Sequence, residues 1–367
     1  MGTRQTPWSP VRRVSVAGAA VLVAVVAAAV VIPTMAEARV DLPDKTPAEL
    51  LQFAAAGDVT AMTGTIEQSS DLGLPDLSAI AGGSSSAKDS TAGLSDALDL
   101  LTGSHTAKVY LDGDKARLQV LDRLAERDVY VDHAAKQGWF VDSETKTATR
   151  YTVSGDPSSS APEPRATVET PQQLLDDALA KLDDSTDISV GTDGRVAGRD
   201  AYELVLAPKD AQSLIGEVRF AIDGETGAAL SASITARGAD QPAFDVAFTQ
   251  VAFSAPDAAT LTYRPAPGFT VEEKTLTVSE HEAQGSAPPA AQRPVVHGEG
   301  WTAVVELPPA DSAPTGESAA MLDTLTRPVS GGRVLETALV TVFFADDGRV
   351  FAGAVGPDSL AQVAAGG

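Results

Sequence analysis

The chain contains no cysteine in its 367 residues. That excludes disulfides, thiolate metal sites, a cysteine nucleophile and a lipid-modified N-terminal cysteine. Asparagine is also absent and lysine is sparse, a bias that suits a GC-rich genome and carries no chemistry of its own. Aromatic residues make up only 5%, so the hydrophobic content of 43% comes mainly from Ala, Val and Leu. Basic residues are outnumbered, 27 against 50 acidic ones, for a formal charge of −23. A nucleic-acid backbone would repel such a chain, and no nucleic-acid partner is expected.

Catalytic patterns are missing too. The histidines are His105, His133, His281 and His297, and none falls in an H-x-x-x-H or H-E-x-x-H spacing. There is no G-x-S-x-G elbow and no G-x-x-x-x-G-K phosphate loop. His133 beside Asp132 belongs to a hairpin end. The acidic groups Asp112/Asp114, Asp183/Asp184/Asp187 and Asp346/Asp347 lack the ligand spacing of a calcium loop and read as turn chemistry. The residues therefore indicate no metal and no cofactor, and favour a binding protein over an enzyme.

What is present starts at the N-terminus. Arg12 and Arg13 precede an apolar run from Val14 to Ile32 in which only Ser15 is polar, followed by Ala36-Glu37-Ala38. This is an export signal with cleavage before Arg39, or an uncleaved anchor that uses residues 12–32. Either way the remainder is expected outside the cytoplasm, in the cell envelope, secreted or held at the cytoplasmic membrane.

Beyond it, period-two alternation dominates. Tyr202, Leu204 and Leu206 share one face of a strand, Val218, Phe220 and Ile222 another, and Leu230, Ala232 and Ile234 follow the Asp223–Gly227 turn. Phe244, Val246 and Phe248 continue the pattern. On the N-terminal side, Met62 and Ile66 alternate along residues 61–68, and short strands recur through residues 104–153. Thr46-Pro47-Ala48-Glu49 and Thr170-Pro171-Gln172-Gln173 are capping boxes with proline at the first helical position, opening helices over about 46–56 and 171–182. Residues 188–197 read as one strand, 71–103 as a flap, and 154–169 as a Pro/Ser linker. The expected divisions are 1–38 signal or anchor, 39–271 one β unit, 272–294 linker, and 295–367 a β-rich extension at the edge of the same sheet.

Such a meander is either an ordinary sandwich core or a curved half-barrel whose inner face holds a lipid, and periodicity does not choose between them. In the second case the lining comprises Leu204, Leu206, Val218, Phe220 and Ile222 with Phe244, Val246 and Phe248 from the meander. Met62, Ile66, Val131 and Trp139 complete it from the N-terminal strands.

The strings GTIEQSSDLGLP, VAGRDAYELVLAPKD, GEVRFAIDGETGAAL and PAFDVAFTQVAFSAPDAATLTYRPAPGFTV, with the tail from Gly300 to Val355, resemble the bacterial lipoprotein carrier superfamily of LolA-like and RseB-like proteins. The resemblance covers most of residues 45–355. It implies a mainly β (α+β) fold, an antiparallel incomplete β-barrel with a helical lid, and a hydrophobic cavity for acyl chains or apolar peptide. It also implies no enzymatic activity. The carriers' single gating arginine has three candidates here, Arg117, Arg195 and Arg219. The expected function is an extracytoplasmic lipid- or lipoprotein-binding carrier. The alternative is an RseB-like regulatory module that senses envelope state through a membrane protein partner such as an anti-sigma factor.

Overall fold

The computed structural model describes residues 40, 42–57, 59–74, 103–121, 126–154, 168–277, 294–307 and 322–366. The signal or anchor at 1–38 lies outside them, as do residues 75–102 of the expected flap and 155–167 of the Pro/Ser linker. No helix among the described residues is long and apolar enough to cross a membrane.

In chain order, helix α1 (Pro47–Ala55) precedes strand β1 (Ala61–Ser70). A meander follows: β2 (His105–Asp112), β3 (Lys115–Leu121), β4 (Glu126–Asp132), β5 (Gln137–Asp142) and β6 (Thr147–Ser154). After helix α2 (Pro171–Ala180) come β7 (Thr186–Val190), β8 (Gly194–Val196), β9 (Arg199–Pro208), β10 (Ile215–Asp223), β11 (Ala229–Ala236), β12 (Pro242–Ala252) and β13 (Thr270–Thr277). The expected strand at 188–197 is thus two strands, both on β9, interrupted between Val190 and Gly194.

These strands form one 13-stranded sheet in the order β13-β6-β5-β4-β3-β2-β1-β12-β11-β10-β9-β7, with β8 also on β9. Every pairing is antiparallel except β13 on β6. The described strands do not close into a barrel, because β13 and β7 end the order without pairing to each other. Part of the expected linker, residues 272–277, belongs to β13. Its three consecutive charged residues, Glu272, Glu273 and Lys274, resemble the polar stretch after it.

Both capping boxes form. Thr46 Oγ1 accepts from Glu49 N–H at 3.3 Å while the Glu49 carboxylate accepts from Thr46 N–H at 2.8 Å. Thr170 and Gln173 repeat the exchange at 3.3 and 2.9 Å. The helices bury Leu50, Ala54 and Leu175 over β7, β9 and β11. Gln172 Oε1 accepts from Ala229 N–H at 2.9 Å and fixes α2 to the sheet. The β10–β11 turn is held from inside. Fully buried Asp223 accepts from Thr226 N–H at 2.8 Å and from Arg199 Nη2 at 2.9 Å. Gly227, at φ 77°, lies so near Phe53 that a side chain there would strike the Phe53 carbonyl.

Residues 295–367 do not extend this sheet. β14 (Val295–His297), β15 (Val304–Leu307), β16 (Arg327–Val329), β17 (Gly332–Glu336), β18 (Thr341–Ala345) and β19 (Val350–Gly353) form a second, six-stranded sheet ordered β14-β15-β19-β18-β17-β16. Its core of Val304, Phe343, Phe351 and Val355 is covered by Leu360 of helix α3 (Pro357–Gly366). That helix supplies the apolar layer which makes a separate sheet viable, and its Ala- and Gly-rich sequence gave no capping signal. A bridge from Ser213 to Val355, the Leu214 N–H to Ala354 carbonyl bond at 2.7 Å, and Leu339 packed on Leu72 and Ala243 join it to the large sheet.

Candidate apolar ligand site

Cross-strand partners share a face, so the register builds rows across the sheet. One row runs Met62–Leu111–Ala116–Val131–Gly138–Tyr151 from β1 to β6. The next runs Gly64–Val109–Leu118–Val129–Phe140–Thr149. A third begins with fully buried Ile66 and Ala107 and buried Val120, then turns charged at Arg127 and Asp142. In the first two rows only Val129 and Thr149 are buried; the remainder is half-buried.

The same face on the other side of β1 is sealed. Ile66, Leu204, Leu206, Val218, Phe220, Ile222, Val246 and Phe248 are all at most 7% exposed and form one core with Leu50, Ala54 and Leu175. Met62 and Phe244 pack on that core while only partly buried. So eight of the twelve expected lining residues are interior packing beneath α1 and α2. The boundary between the halves is Gly64, above which lies the ring of Phe248. A β-bulge between Thr65 and Ile66 shifts β12 by one residue there.

Val131 lies on the half-buried rows. Trp139 does not: it pairs with Tyr130 and points to the opposite face. In β5 both parities carry large apolar groups, Trp139 and Val141 on one and Phe140 on the other. Size favoured the wrong one. On that opposite face Arg117 stacks between Tyr110 and Tyr130, at 5.7 and 4.9 Å from the ring centroids, and Arg150 lies 6.0 Å from Trp139. Tyr263 covers them, 5.4 Å from Tyr130 and 5.1 Å from Trp139. Arg117 Nε donates to Asp128 at 2.8 Å. Burial, aided by the hydrogen bond to Glu126, nonetheless pushes the Asp128 carboxyl up to about 6. Burial likewise raises the Tyr130 hydroxyl to about 12.

None of the three candidate arginines meets the apolar rows. Arg117 belongs to the opposite face. Arg219 also faces away, bonded to Glu217 at 2.7 and 3.0 Å and to Glu203 at 2.6 Å. Arg195 pairs with Asp200 on the surface. The cation at the β6 end of the first row comes from residues 272–294, the expected linker. Lys274 of β13 pairs in register with Tyr151, and its Nζ lies 6.0 Å from that ring. It was hidden because it sits in the stretch read as linker. Val109, Leu111 and Leu118 were legible as period-two alternation, but without a register nothing linked them to Met62.

Among the described residues no group of three or more His, Asp or Glu is placed to hold a metal ion. The chemistry on offer at the rows is apolar contact.

No protein-family model and no curated protein matches the chain. Solved structures do. The MucA/MucB complex of Pseudomonas aeruginosa matches at 18% identity and TM-score 0.42, over 87% of this chain and 96% of that one. A LolA superfamily protein from Nitrosomonas europaea matches at 9% identity and TM-score 0.19, over 84% and 90%. A putative outer membrane lipoprotein-sorting protein domain from Vibrio parahaemolyticus matches at 12% identity and TM-score 0.23, over 56% and 90%.

Proposed function

We propose that the chain is an extracytoplasmic, non-enzymatic binding protein that holds an acyl chain against the half-buried rows of β1–β6. One observation carries this reading: the apolar face continues across β1 beyond the cover that α1 and α2 supply, and among the described residues it is only half-buried there. Burying about 15 methylenes at about 0.8 kcal/mol each gives about 12 kcal/mol gross. An association cost of about 4 kcal/mol leaves about 8 kcal/mol, which corresponds to micromolar binding. The rows offer leucine, valine, methionine and phenylalanine contact, with the small Gly138 among them. The test is delipidated protein titrated with a fluorescent fatty acid, alongside native mass spectrometry for co-purifying lipid. Saturable binding with a mass increment supports the reading, and absence of both refutes it.

The second reading, a regulatory module that engages a membrane protein, is favoured by the other sheet. Val296, Val305, Ala352, Val342 and Leu335 form a cross-strand row on the side away from Phe343 and Phe351, and Val296 is 62% exposed. Acyl-free protein that fails to take up lipid yet captures an envelope protein, with capture lost in Val342→Asp, would favour this reading over the first.

A further inference from the structure

We infer that the ligand of the apolar rows carries an anionic headgroup, a carboxylate or a phosphate, which Lys274 receives at the outer end of the site. This rests on the acyl-chain reading above and adds the ligand's polarity and direction. The two rows cross five strand spacings from β1 to β6, about 24 Å at about 4.8 Å each. The inner end of the second row is closed by the Phe248 ring over Gly64 and by Val251, which pairs with Gly64. No charged side chain stands in either row. A headgroup is therefore excluded from the inner end, and the chain enters tail first.

At the outer end the row reaches Tyr151 and then Lys274 on the neighbouring edge strand. The Lys274 ammonium lies over the Tyr151 ring, 6.0 Å from its centroid, at the end of the row. In a chain with 50 acidic and 27 basic residues, a cation at this point runs against the prevailing charge. Its neighbour on the same face is Glu272, 3.8 Å away, and both side chains are half exposed. Such a pair is weak and exchangeable. Arg127 and Asp142 occupy the third row, and the Asp142 carboxylate is engaged by the Glu144 and Thr145 N–H groups at 2.8 and 3.1 Å. Lys274 is the cation aligned with the channel of the first two rows.

The experiment uses the delipidated full chain and displacement of a fluorescent fatty acid by palmitate, a monoacyl phosphate, hexadecanol and hexadecyltrimethylammonium. At low salt the two anions are expected to bind about fivefold tighter than the alcohol. That preference disappears in Lys274→Gln, reverses toward the cationic amphiphile in Lys274→Glu, and shrinks in high salt. Palmitate and phosphate arms separate the two headgroup sources. Equal binding of alcohol and anions by the native protein, or a preserved preference in Lys274→Gln, overturns the inference and leaves the acyl-chain reading intact. Failure of every amphiphile to bind removes the site itself. Lys274 lies exposed on an edge strand, and circular dichroism of each variant checks that the fold is kept.

Discussion

Asp245 stands in the middle of β12, on the face turned away from the main core, between Ser69 of β1 and Ser233 of β11 in the register. Among the described residues no cation or hydrogen-bond donor partners its carboxyl, and burial alone pushes it up to about 6 from 3.8. In the unfolded chain it titrates near its ordinary value. The native state therefore binds more protons than the unfolded state between these two pH values, and stability falls as pH rises through that window. A rise of about two units at about 1.4 kcal/mol each sets an upper bound of about 3 kcal/mol. Partial exposure reduces this to about 1–2 kcal/mol. Asp245→Asn keeps the shape and removes the charge. Urea unfolding at a series of pH values should show the variant more stable by that amount above about pH 7, with the two curves converging below about pH 4. Asp128, also pushed up by burial, is present in both proteins and cancels in the difference. A difference that is independent of pH, or an asparagine variant less stable at pH 8, would refute the reasoning.

Other perturbations test separate parts of the architecture. Gly64→Ala places a methyl group inside the Phe248 ring and should cost about 1–3 kcal/mol, partly recovered when Phe248→Leu is added; additive losses in a double-mutant cycle would contradict the contact. Leu118→Asp on the half-buried row should abolish acyl-probe binding while costing much less stability than Leu204→Asp in the sealed half, as read by urea midpoints on both variants. Arg199→Ala leaves fully buried Asp223 with Thr226 as its remaining side-chain partner and should destabilise by about 3 kcal/mol, measured by chemical denaturation at neutral pH.

How much of this was written in the sequence depended on the range of the signal. Capping boxes are local, and Thr46 and Thr170 opened their helices where the residues said. Strand alternation is local too, so the meander from Tyr202 to Phe248 and its Asp223–Gly227 turn were legible. Sheet membership is not local. Nothing in residues 295–367 announced that Phe343 and Phe351 would find cover under Leu360 rather than on an existing edge. The strand at 270–277 pairs in parallel with β6, more than a hundred residues earlier, and its charged run Glu272-Glu273-Lys274 resembles a solvated linker. The site suffered most. Periodicity identifies a buried face but is blind to which part of that face the protein fills itself, so the sealed Leu204 and the half-buried Leu118 look alike in one dimension.

The two faces of β2–β6 are finished in an unusual order. In a common two-layer domain the aliphatic face is covered and the face bearing Arg, Asp, Glu and Tyr is left to water. Here Tyr263 and Phe269 lie over the polar face, where Asp128 is 5% exposed, Tyr130 8% and Ala148 fully buried. The aliphatic face, with Val109, Leu118, Val131 and Phe140, is only half-buried by the described residues. Covering the polar side first carries a measurable penalty, since it raises Asp128 to about 6. Among the described residues, nothing supplies the cover that would seal the aliphatic rows at a gain of about 25 cal/mol per Å². A fold under selection for stability alone would reverse these choices. The arrangement makes sense when the apolar side is occupied by something other than this part of the chain, and protection of Leu118 and Phe140 amides from hydrogen exchange should then rise on addition of an acyl ligand, while amides of the already sealed Leu204 and Phe220 stay unchanged.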